Sequence, residues 1–436
     1  MHAFTRRRSR VVAAVATLMF TAAVAAVPSA QAAAPAVPPA VVPRAETAAL
    51  FDDDQGGNAN ADDPAIWRNS ADPDASLVIA TAKEGGLRVY DLDARQVQSV
   101  PAPAAPGSDD APGRFNNVDL VHRTSSVSGA TDLAVVSDRG SDKLRIYRVA
   151  GDRPDAPLTD VTDASAPWIF SGSQEEVNAE RTAYGLATYT DSATGRSYAL
   201  VSQNATTRIA LLELITTRDG KVSYRKVRTL DLPAAFTMPD GTKWSPCGEP
   251  GEGPQVEGMV VDPETGVLFA GQEDVGVWRL RADLKGAPVL QDKVREYGVP
   301  ATYDEASDEC VAGDDPGFGG VRVSADVEGL TLLKQDDGDG YLLASSQGDD
   351  TFVAYDREGS DEYEYEGGFR VSAASESLDG SEECDGADVL AEPLGGRYPN
   401  GLLVVQDGHM APEDGGREAT GFKFVDLADV LEALDD

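Results

Sequence analysis

Hydrophobic and polar positions follow the same order in six segments of the chain. Each segment begins with a short stretch in which an acidic or polar residue accompanies small or apolar residues. An apolar strand comes next, then a polar turn, and then a strand in which apolar and polar residues alternate. The segments start near residues 63, 119, 184, 257, 328 and 386, so they recur every 56 to 73 residues. This recurrence indicates a repeat architecture.

A more polar stretch with strand character follows each of the first five segments. These stretches are residues 95–100, 157–161, 222–230, 288–297 and 363–371. Four short antiparallel strands per repeat is the pattern of a propeller blade. We therefore predict an all-β fold, a six-bladed β-propeller with four-stranded antiparallel blades. Two stacked β-sandwiches are the alternative, although that fold needs no repeat.

The sixth segment lacks an outer strand of its own, because the chain ends soon after residue 427. The stretch from Glu46 to Phe51 has strand character and can supply the missing strand. We therefore predict that an N-terminal strand closes the ring and covers an otherwise exposed sheet edge. Helical spacing occurs at 426–434, which we predict to be a terminal helix.

The amino terminus has the pattern of an export signal. Arg6, Arg7, Arg8 and Arg10 precede an apolar stretch at 11–27, and residues 30–32 fit a small-x-small cleavage site. We predict a signal peptide at 1–32, a flexible leader at 33–45 and a single propeller domain at 46–436. A membrane anchor is the alternative for the apolar stretch. The mature protein is expected to be secreted.

Charge restricts the partners of the protein. The net charge is −37, and removal of residues 1–32, with four arginines and no acids, leaves −41. Such a charge excludes a nucleic-acid or anionic-membrane binder that works by bulk attraction. A small phosphorylated substrate remains possible if cations stand between it and the acids. We expect no nucleic-acid or membrane partner, and a monomer.

Histidines and cysteines are too few for several kinds of chemistry. Only His122 and His409 remain after the leader, which leaves histidine-based catalysis and His-rich metal sites poorly supported. Cys247 and Cys310 lie in two long insertions, 233–254 and 298–320, and Cys384 lies elsewhere. A Cys247–Cys310 disulfide would suit a secreted protein, and three free thiols are the alternative.

Acidic residues recur at the same position of successive repeats. Equivalent positions of different blades converge on one face of a propeller, around its central channel. The residues concerned are Asp62, Asp63, Asp119, Glu257, Asp326, Glu328 and Asp385 at first strands, and Lys83, Arg139, Glu273, Asp274, Gln347 and Asp407 at turns. Oxygen ligands without histidine or cysteine suit a hard cation, which outside the cell means calcium. The alternative is that these acids only cap turns in solvated loops.

Several of these motifs carry a resemblance to a known family. They are DDPAIW (62–67), TAKEGGL (81–87), NNVD (116–119), EGM (257–259), DVEGL (326–330), YLLASSQG (341–348) and QDG (406–408). In this order and at these spacings they resemble the alkaline β-propeller phytases, over residues 46–428. The resemblance implies a six-bladed, calcium-dependent phosphomonoesterase. Its substrate would be myo-inositol hexakisphosphate as the calcium complex, and metal-bound water would be the nucleophile.

The resemblance also implies roles for individual residues. Glu257, Glu273, Asp326 and Glu328 match acids that hold the active-site calcium ions and polarise the attacking water, and Tyr184 matches a tyrosine near the metals. Lys83, Arg139 and Gln347 match groups that contact phosphate. Asp62 and Asp63 match the calcium ligands of the DDPA motif, and Asp119, Asp385 and Asp407 match ligands of structural calcium sites.

The sequence departs from the family at the third-blade turn, residues 202–208. Neither Gln203 nor Asn204 is basic, so Arg208 is the remaining candidate for phosphate binding there. Two other functions compete with the phytase interpretation. One is a calcium-dependent propeller hydrolase of lactonase or phosphotriesterase type, which would need few basic pocket residues. The other is a non-catalytic interaction propeller stabilised by calcium.

Overall fold

The computed structural model describes residues 37–51, 59–122, 132–307, 309–335, 338–357, 363–411 and 419–435. The predicted signal peptide at 1–32 lies outside the described residues, as does the start of the predicted leader.

Six antiparallel sheets follow one another along the chain, as the repeats predict. Blade 1 consists of β4 (Pro64–Trp67), β5 (Leu77–Thr81), β6 (Leu87–Tyr90) and β7 (Gln96–Val100), and blade 2 of β8 (Phe115–Val121), β9 (Leu133–Asp138), β10 (Lys143–Val149) and β11 (Leu158–Asp160). Blade 3 consists of β12 (Ala183–Asp191), β13 (Arg196–Gln203), β14 (Arg208–Thr216) and β15 (Val222–Asp231), and blade 4 of β18 (Val256–Asp262), β19 (Val267–Gln272), β20 (Gly276–Arg281) and β21 (Val289–Lys293). Blade 5 consists of β24 (Val327–Lys334), β25 (Gly340–Ser346), β26 (Thr351–Asp356) and β27 (Tyr365–Val371). Blade 6 contributes β28 (Ala387–Leu390), β29 (Leu402–Asp407) and β30 (Ala419–Asp426).

The inner strands form a closed ring. β4 contacts β8, and the contacts continue through β12, β18, β24 and β28 back to β4. This ring establishes the six-bladed propeller and rules out two stacked sandwiches. Apolar side chains of adjacent sheets fill the space between blades, as Ile146 of blade 2 and Leu212 of blade 3 do.

The amino-terminal segment completes the ring, as predicted. β2 (Ala45–Glu46) and β3 (Leu50–Phe51) pair antiparallel with β30 of blade 6. β1 (Ala40–Val41) pairs in parallel with β27 of blade 5. The paired part of the chain therefore extends further toward the amino terminus than the expected domain boundary at residue 46.

The two insertions form small hairpins that are joined covalently. β16 (Phe236–Thr237) pairs with β17 (Lys243–Trp244), and β22 (Ala301–Asp304) pairs with β23 (Glu309–Ala312). The Cys247–Cys310 disulfide links the insertions, and Cys384 is a buried free thiol.

Helices are few in the described part of the chain. The α-helices there are α1 (Gln174–Val177) and α2 (Leu427–Asp435), the second within one residue of the predicted terminal helix, and the 3₁₀ helices include Pro73–Ala75, Arg139–Ser141 and Gln347–Asp349. No helix among the described residues is long and apolar enough to cross a membrane.

Candidate active site at the channel mouth

A bulge near the start of several inner strands turns the predicted acids toward the channel. The pairing register shifts between Val256 and Met259 in β18, and between Val327 and Leu330 in β24. Such a bulge re-aims the side chains that it contains. Glu257 and Glu328 lie in these two bulges, at the same place in neighbouring blades.

Glycines after these residues let neighbouring strands approach closely. A Cβ atom added at Gly185 would lie 2.0 Å from the carbonyl oxygen of Glu257, and one at Gly258 would lie 1.5 Å from that of Glu328. Only glycine can occupy such positions without displacing the backbone. The Tyr-Gly and Glu-Gly pairs of the repeats are therefore required by the packing of one inner strand against the next.

Three glutamates converge in this region. Glu257, Glu328 and Glu273, which follows β19, each place one carboxylate oxygen within 4.8 Å of the others. All three side chains are buried. Burial and the neighbouring carboxylates raise the pKa of Glu273 and of Glu328 well above the ordinary value. The cluster therefore concentrates negative charge that a cation would stabilise.

Hydrogen bonds hold two of these acids in place. Tyr184 donates from its hydroxyl to Glu257 Oε2 at 2.7 Å, and Asn116 Nδ2 donates to Glu257 Oε1 at 2.5 Å. Gln255 Nε2 donates to Glu273 Oε2 at 2.9 Å. Glu257 and Glu273 are thus each oriented by donors that carry no charge.

Other carboxylate oxygens at the site have no partner. Within the described ranges, Glu273 Oε1, Glu328 Oε2 and Asp62 Oδ2 are buried and make no hydrogen bond. Leaving buried polar oxygens unpaired is costly, so such groups point to an unfilled ligand position. Oxygen ligands of this kind fit a hard divalent cation.

Asp326 and Asp274 extend the acidic cluster. Burial first, and then the charge of neighbouring carboxylates, raise the pKa of Asp274 to about 7 and that of Asp326 to about 6. A cavity of about 120 Å³ borders Glu273, Asp274 and the insertion that contains Cys247. Asp274 of blade 4 and Asp326 of blade 5 share a side-chain hydrogen bond, so the acids of the two blades interact directly.

Lys83 and Gln347 lie on the opposite side of the site, around Asp385. Lys83 Nζ is 3.5 Å from Asp385 Oδ2, and Gln347 Nε2 donates to Asp385 Oδ1 at 2.9 Å. Burial acts to lower the pKa of Lys83, but the charges of Asp62, Asp385 and Glu257 outweigh it and raise that pKa. Lys83 is therefore a fixed cation beside the acidic cluster.

Arg139 supplies a second cation. Its guanidinium lies 5.5 Å from the centre of the Tyr184 ring, and its buried Nε has no hydrogen-bond partner among the described residues. The side chain also approaches Glu180 at 3.8 Å. A cavity of about 280 Å³ opens here, lined by Arg139, Arg114, Glu84 and Glu180 among others. Arginines that face a cavity can recognise phosphate oxygens.

Asp63 and Asp119 occupy a different part of the channel. Asp63 Oδ2 accepts a hydrogen bond from Val118 N at 2.9 Å, and Asp119 Oδ2 accepts one from Thr188 N at 2.5 Å. With Asp388 they line a cavity of about 50 Å³. These carboxylates tie the inner strands of neighbouring blades together.

Asp407 and Arg208 have other partners. Asp407 Oδ2 lies 3.0 Å from Lys423 Nζ. Arg208 donates to both carboxylate oxygens of Asp231 on β15, at 2.7 and 3.2 Å. The structure places neither residue in the three-glutamate cluster.

Sequence reasoning missed several residues that the structure brings to the channel. Asn116 lies in the NNVD motif, but its side chain is uncharged and therefore does not indicate a metal ligand or a phosphate-binding group. Gln255 is two positions before Glu257, the spacing that places two residues on one face of a strand. Asp388 follows Asp385 by three positions, and its role as a strand tie depends on contacts with Ile66 and Thr331.

Comparison with known proteins identifies the family of the chain. The phytase family model matches residues 8–238 and 252–436. A 3-phytase from Bacillus subtilis (strain 168) is 31% identical over 380 residues, which cover 87% of this chain and 82% of that protein.

Solved propeller structures are more distant. A periplasmic gluconolactonase from Pseudomonas aeruginosa is 15% identical, with a TM-score of 0.36 over 66% of this chain and 65% of its own. A virginiamycin B lyase from Staphylococcus aureus is 12% identical, with a TM-score of 0.38 over 87% of this chain and 98% of its own. Similarity at this level does not bear on activity. The family model and the 3-phytase do, and the chain therefore belongs to the phytase family, as a phosphoric monoester hydrolase of the 3-phytase class.

Proposed function

We propose that this phytase is secreted and calcium-dependent, and that it releases inorganic phosphate from calcium complexes of myo-inositol hexakisphosphate. One observation carries the proposal. Three buried glutamates from blades 4 and 5 converge within 4.8 Å, and two of them present unpaired oxygens. Two cations accompany the cluster, since Lys83 interacts with Glu257 and Arg139 lies over the Tyr184 ring, whose hydroxyl binds Glu257.

Calcium fits the donor set better than a softer ion. Glu257, Glu273, Glu328, Asp326 and Asp62 offer only carboxylate oxygens, and a hard cation prefers such ligands. When bound there, calcium would supply Lewis-acid activation of water and neutralise phosphate charge. Without a cation, the acidic cluster would repel a polyphosphate.

The residues of the chain then divide the remaining work. Lys83 and Arg139 attract phosphate oxygens and offset the charge that develops as the ester bond breaks. Gln347 has an amide beside Lys83 that can orient a phosphate. Tyr184 stays protonated, because burial raises its pKa, and its hydroxyl holds Glu257 in place. Arg208 would reach a substrate only by leaving Asp231.

Hydrolysis requires a bond from a water oxygen to phosphorus and cleavage of the phosphorus–ester oxygen bond. The water loses one proton, and the leaving inositol oxygen gains one. Glu328, whose pKa is raised by burial, is a suitable acceptor for the water proton and can return that proton to the leaving inositol oxygen. Glu257 accepts one hydrogen bond on each oxygen, so both oxygens are held in place and each keeps a lone pair for the cation.

Other acids would bind calcium for stability. We assign Asp63, Asp119, Asp385 and Asp407 to structural calcium sites, in keeping with the resemblance of their motifs. Asp407 already faces an ammonium, so a calcium ion there would share the site with Lys423. Secretion follows from the export pattern of residues 1–32, and we propose a monomer without nucleic-acid or membrane partners.

Phosphate release from calcium-phytate tests the proposed function. Wild type should release phosphate, a chelator should abolish the release, and added calcium should restore it. Glu257→Gln should lose most of the activity, whereas Glu366→Gln, on the exposed face of β27, should keep it. Release that persists in excess chelator would contradict calcium dependence. Hydrolysis of a lactone or a phosphotriester in preference to phytate would favour the competing hydrolase.

A further inference from the structure

Gln255 contacts two different groups of the active site with one amide. Its Nε2 donates to Glu273 Oε2 at 2.9 Å and to the Tyr184 hydroxyl oxygen at 3.3 Å. Its Oε1 accepts a hydrogen bond from the backbone N–H of Ala205 at 2.8 Å. The nitrogen and the oxygen of this amide thus bind three residues from three segments of the chain, namely Glu273, Tyr184 and Ala205.

The backbone contact fixes the orientation of this amide. The N–H of Ala205 can only donate, so the oxygen of Gln255 must face blade 3 and the nitrogen must face the acids. The neighbouring residue is fixed as well, because the Pro254 carbonyl accepts a hydrogen bond from Gln272 Nε2 at 2.8 Å. The amide therefore cannot turn over without losing hydrogen bonds at both ends.

The fixed amide sets the direction of a hydrogen-bond chain. Because Gln255 donates to the Tyr184 oxygen, the Tyr184 proton is left to point at Glu257 Oε2. The Gln255 amide also donates to Glu273 Oε2, and Glu273 Oε1 is left without a hydrogen bond among the described residues. One uncharged side chain thus orients a glutamate and a tyrosine of the site together.

We propose that Gln255 is a positioning residue: it holds Glu273 and Tyr184 so that the free oxygen of Glu273 faces the cation. The inference rests on the proposed calcium-dependent function. Donors that orient metal ligands commonly change metal affinity about 10- to 100-fold when they are removed. Gln255 should therefore affect calcium affinity and turnover, although it touches neither the substrate nor the ion.

Calcium titration of the metal-free protein provides the first test. Isothermal titration of wild type and of Glu257→Gln identifies the binding phase that belongs to the three-glutamate cluster. Gln255→Leu, which keeps the size but removes every hydrogen bond, should weaken that phase about 10-fold or more. Gln255→Met is the second variant, in case the leucine protein does not fold.

A matched control separates positioning from packing. Gln98 also donates and accepts through one amide, to the Leu158 backbone between blades 1 and 2. Gln98→Leu should leave the calcium phase unchanged. Equal calcium affinity in wild type and Gln255→Leu would overturn the inference, even where the melting temperature falls.

Kinetics provide an independent readout. At saturating calcium, Gln255→Leu should lower kcat about 10-fold and leave the KM for phytate within about twofold, because Lys83 and Arg139 are untouched. In a Tyr184→Phe background the effect on kcat should shrink, since the two residues act through one contact. Full additivity would contradict the inference. If the wild-type protein showed no calcium-dependent release of phosphate, that result would contradict the proposed function instead. The calcium titration would still test the role of Gln255.

Discussion

Tyr184 donates a hydrogen bond to Glu257 across the boundary between blades 3 and 4, at 2.7 Å. Gly185 makes this contact possible, because a side chain at that position would collide with the Glu257 carbonyl. Burial, and then the charge of Glu257, raise the pKa of Tyr184 well above its ordinary value, so the hydroxyl remains a donor at neutral and mildly alkaline pH. The contact therefore joins two blades at the point where the site acids meet.

Tyr184→Phe should lower kcat on phytate about 10- to 100-fold at saturating calcium. A hydrogen bond to a charged group contributes about 1.5–3 kcal/mol, which corresponds to this range if it is maintained in the transition state. Steady-state kinetics check the value, with the melting temperature measured in parallel. Tyr189→Phe, on the same strand but stacked on Tyr198, is the control. Equal losses in both variants would show that the tyrosines act through stability alone.

Arg139→Gln should raise the KM for phytate about 10-fold or more. The Arg139 guanidinium lies over Tyr184, and its Nε has no partner among the described residues. It faces a cavity whose wall also contains Arg114, so the variant loses one of two arginines that line this cavity. Substrate-saturation curves at several salt concentrations check this, and the variant should also show a weaker salt dependence. Arg208→Gln is the comparison. Because Asp231 holds Arg208 in an exposed pair, we expect its KM to change less than about twofold.

The arrangement of the strands was predictable because the repeat is carried by hydrophobic pattern. The outer strand at 222–230 appears as β15, and the stretch from Glu46 supplies β2 and β3. The pairing of Ala40 and Val41 with blade 5 was not predicted. A segment of alanine, proline and valine shows no alternation, and its strand exists only because the edge of β27 is available to it.

The acids of the site were predictable, but their orientation was not. Glu257 and Glu328 occupy one position of the repeat and Glu273 occupies another, the turn after the second strand, and repeat symmetry brings both positions to the channel mouth. Asn116 and Gln255 depend on contacts between blades, which residue spacing does not encode. Arg208 illustrates the opposite case, since a basic residue at a suitable position is held by Asp231 on the adjacent strand.

Calcium should stabilise the protein more at pH 7.5 than at pH 5. Burial and neighbouring charges raise the pKa of Asp274 to about 7 and those of Asp326 and Asp385 to about 6. Between pH of about 4 and 7 the metal-free folded state therefore holds protons that the unfolded chain has released. The unfolded state binds fewer protons in this window, so these groups make the metal-free protein less stable as pH rises.

Calcium binding requires the deprotonated carboxylates and removes this penalty. The measurement is the difference in melting temperature between calcium-loaded and chelated protein, taken from pH 5 to 7.5. The difference should increase across the interval, because mass action favours the calcium-bound native state more strongly at higher pH. A difference that stays constant or decreases would show that these carboxylates do not control calcium binding.

Lys423→Met should destabilise the closure of the ring by about 3 kcal/mol. Lys423 lies on β30, is fully buried, and contacts Glu46 of β2, Asp379 and Asp407. Removing the ammonium leaves three carboxylates facing one another without a cation, and Glu46 belongs to the strand that joins the amino terminus to blade 6. Thermal unfolding in chelator should show a melting temperature lower by about 5 °C.

Lys285→Met, which removes an exposed partner of Asp283, is the control and should shift the melting temperature by less than about 1 °C. Equal stability of Lys423→Met and wild type would mean that the strand pairing of β2 and β3 closes the ring without this charge cluster.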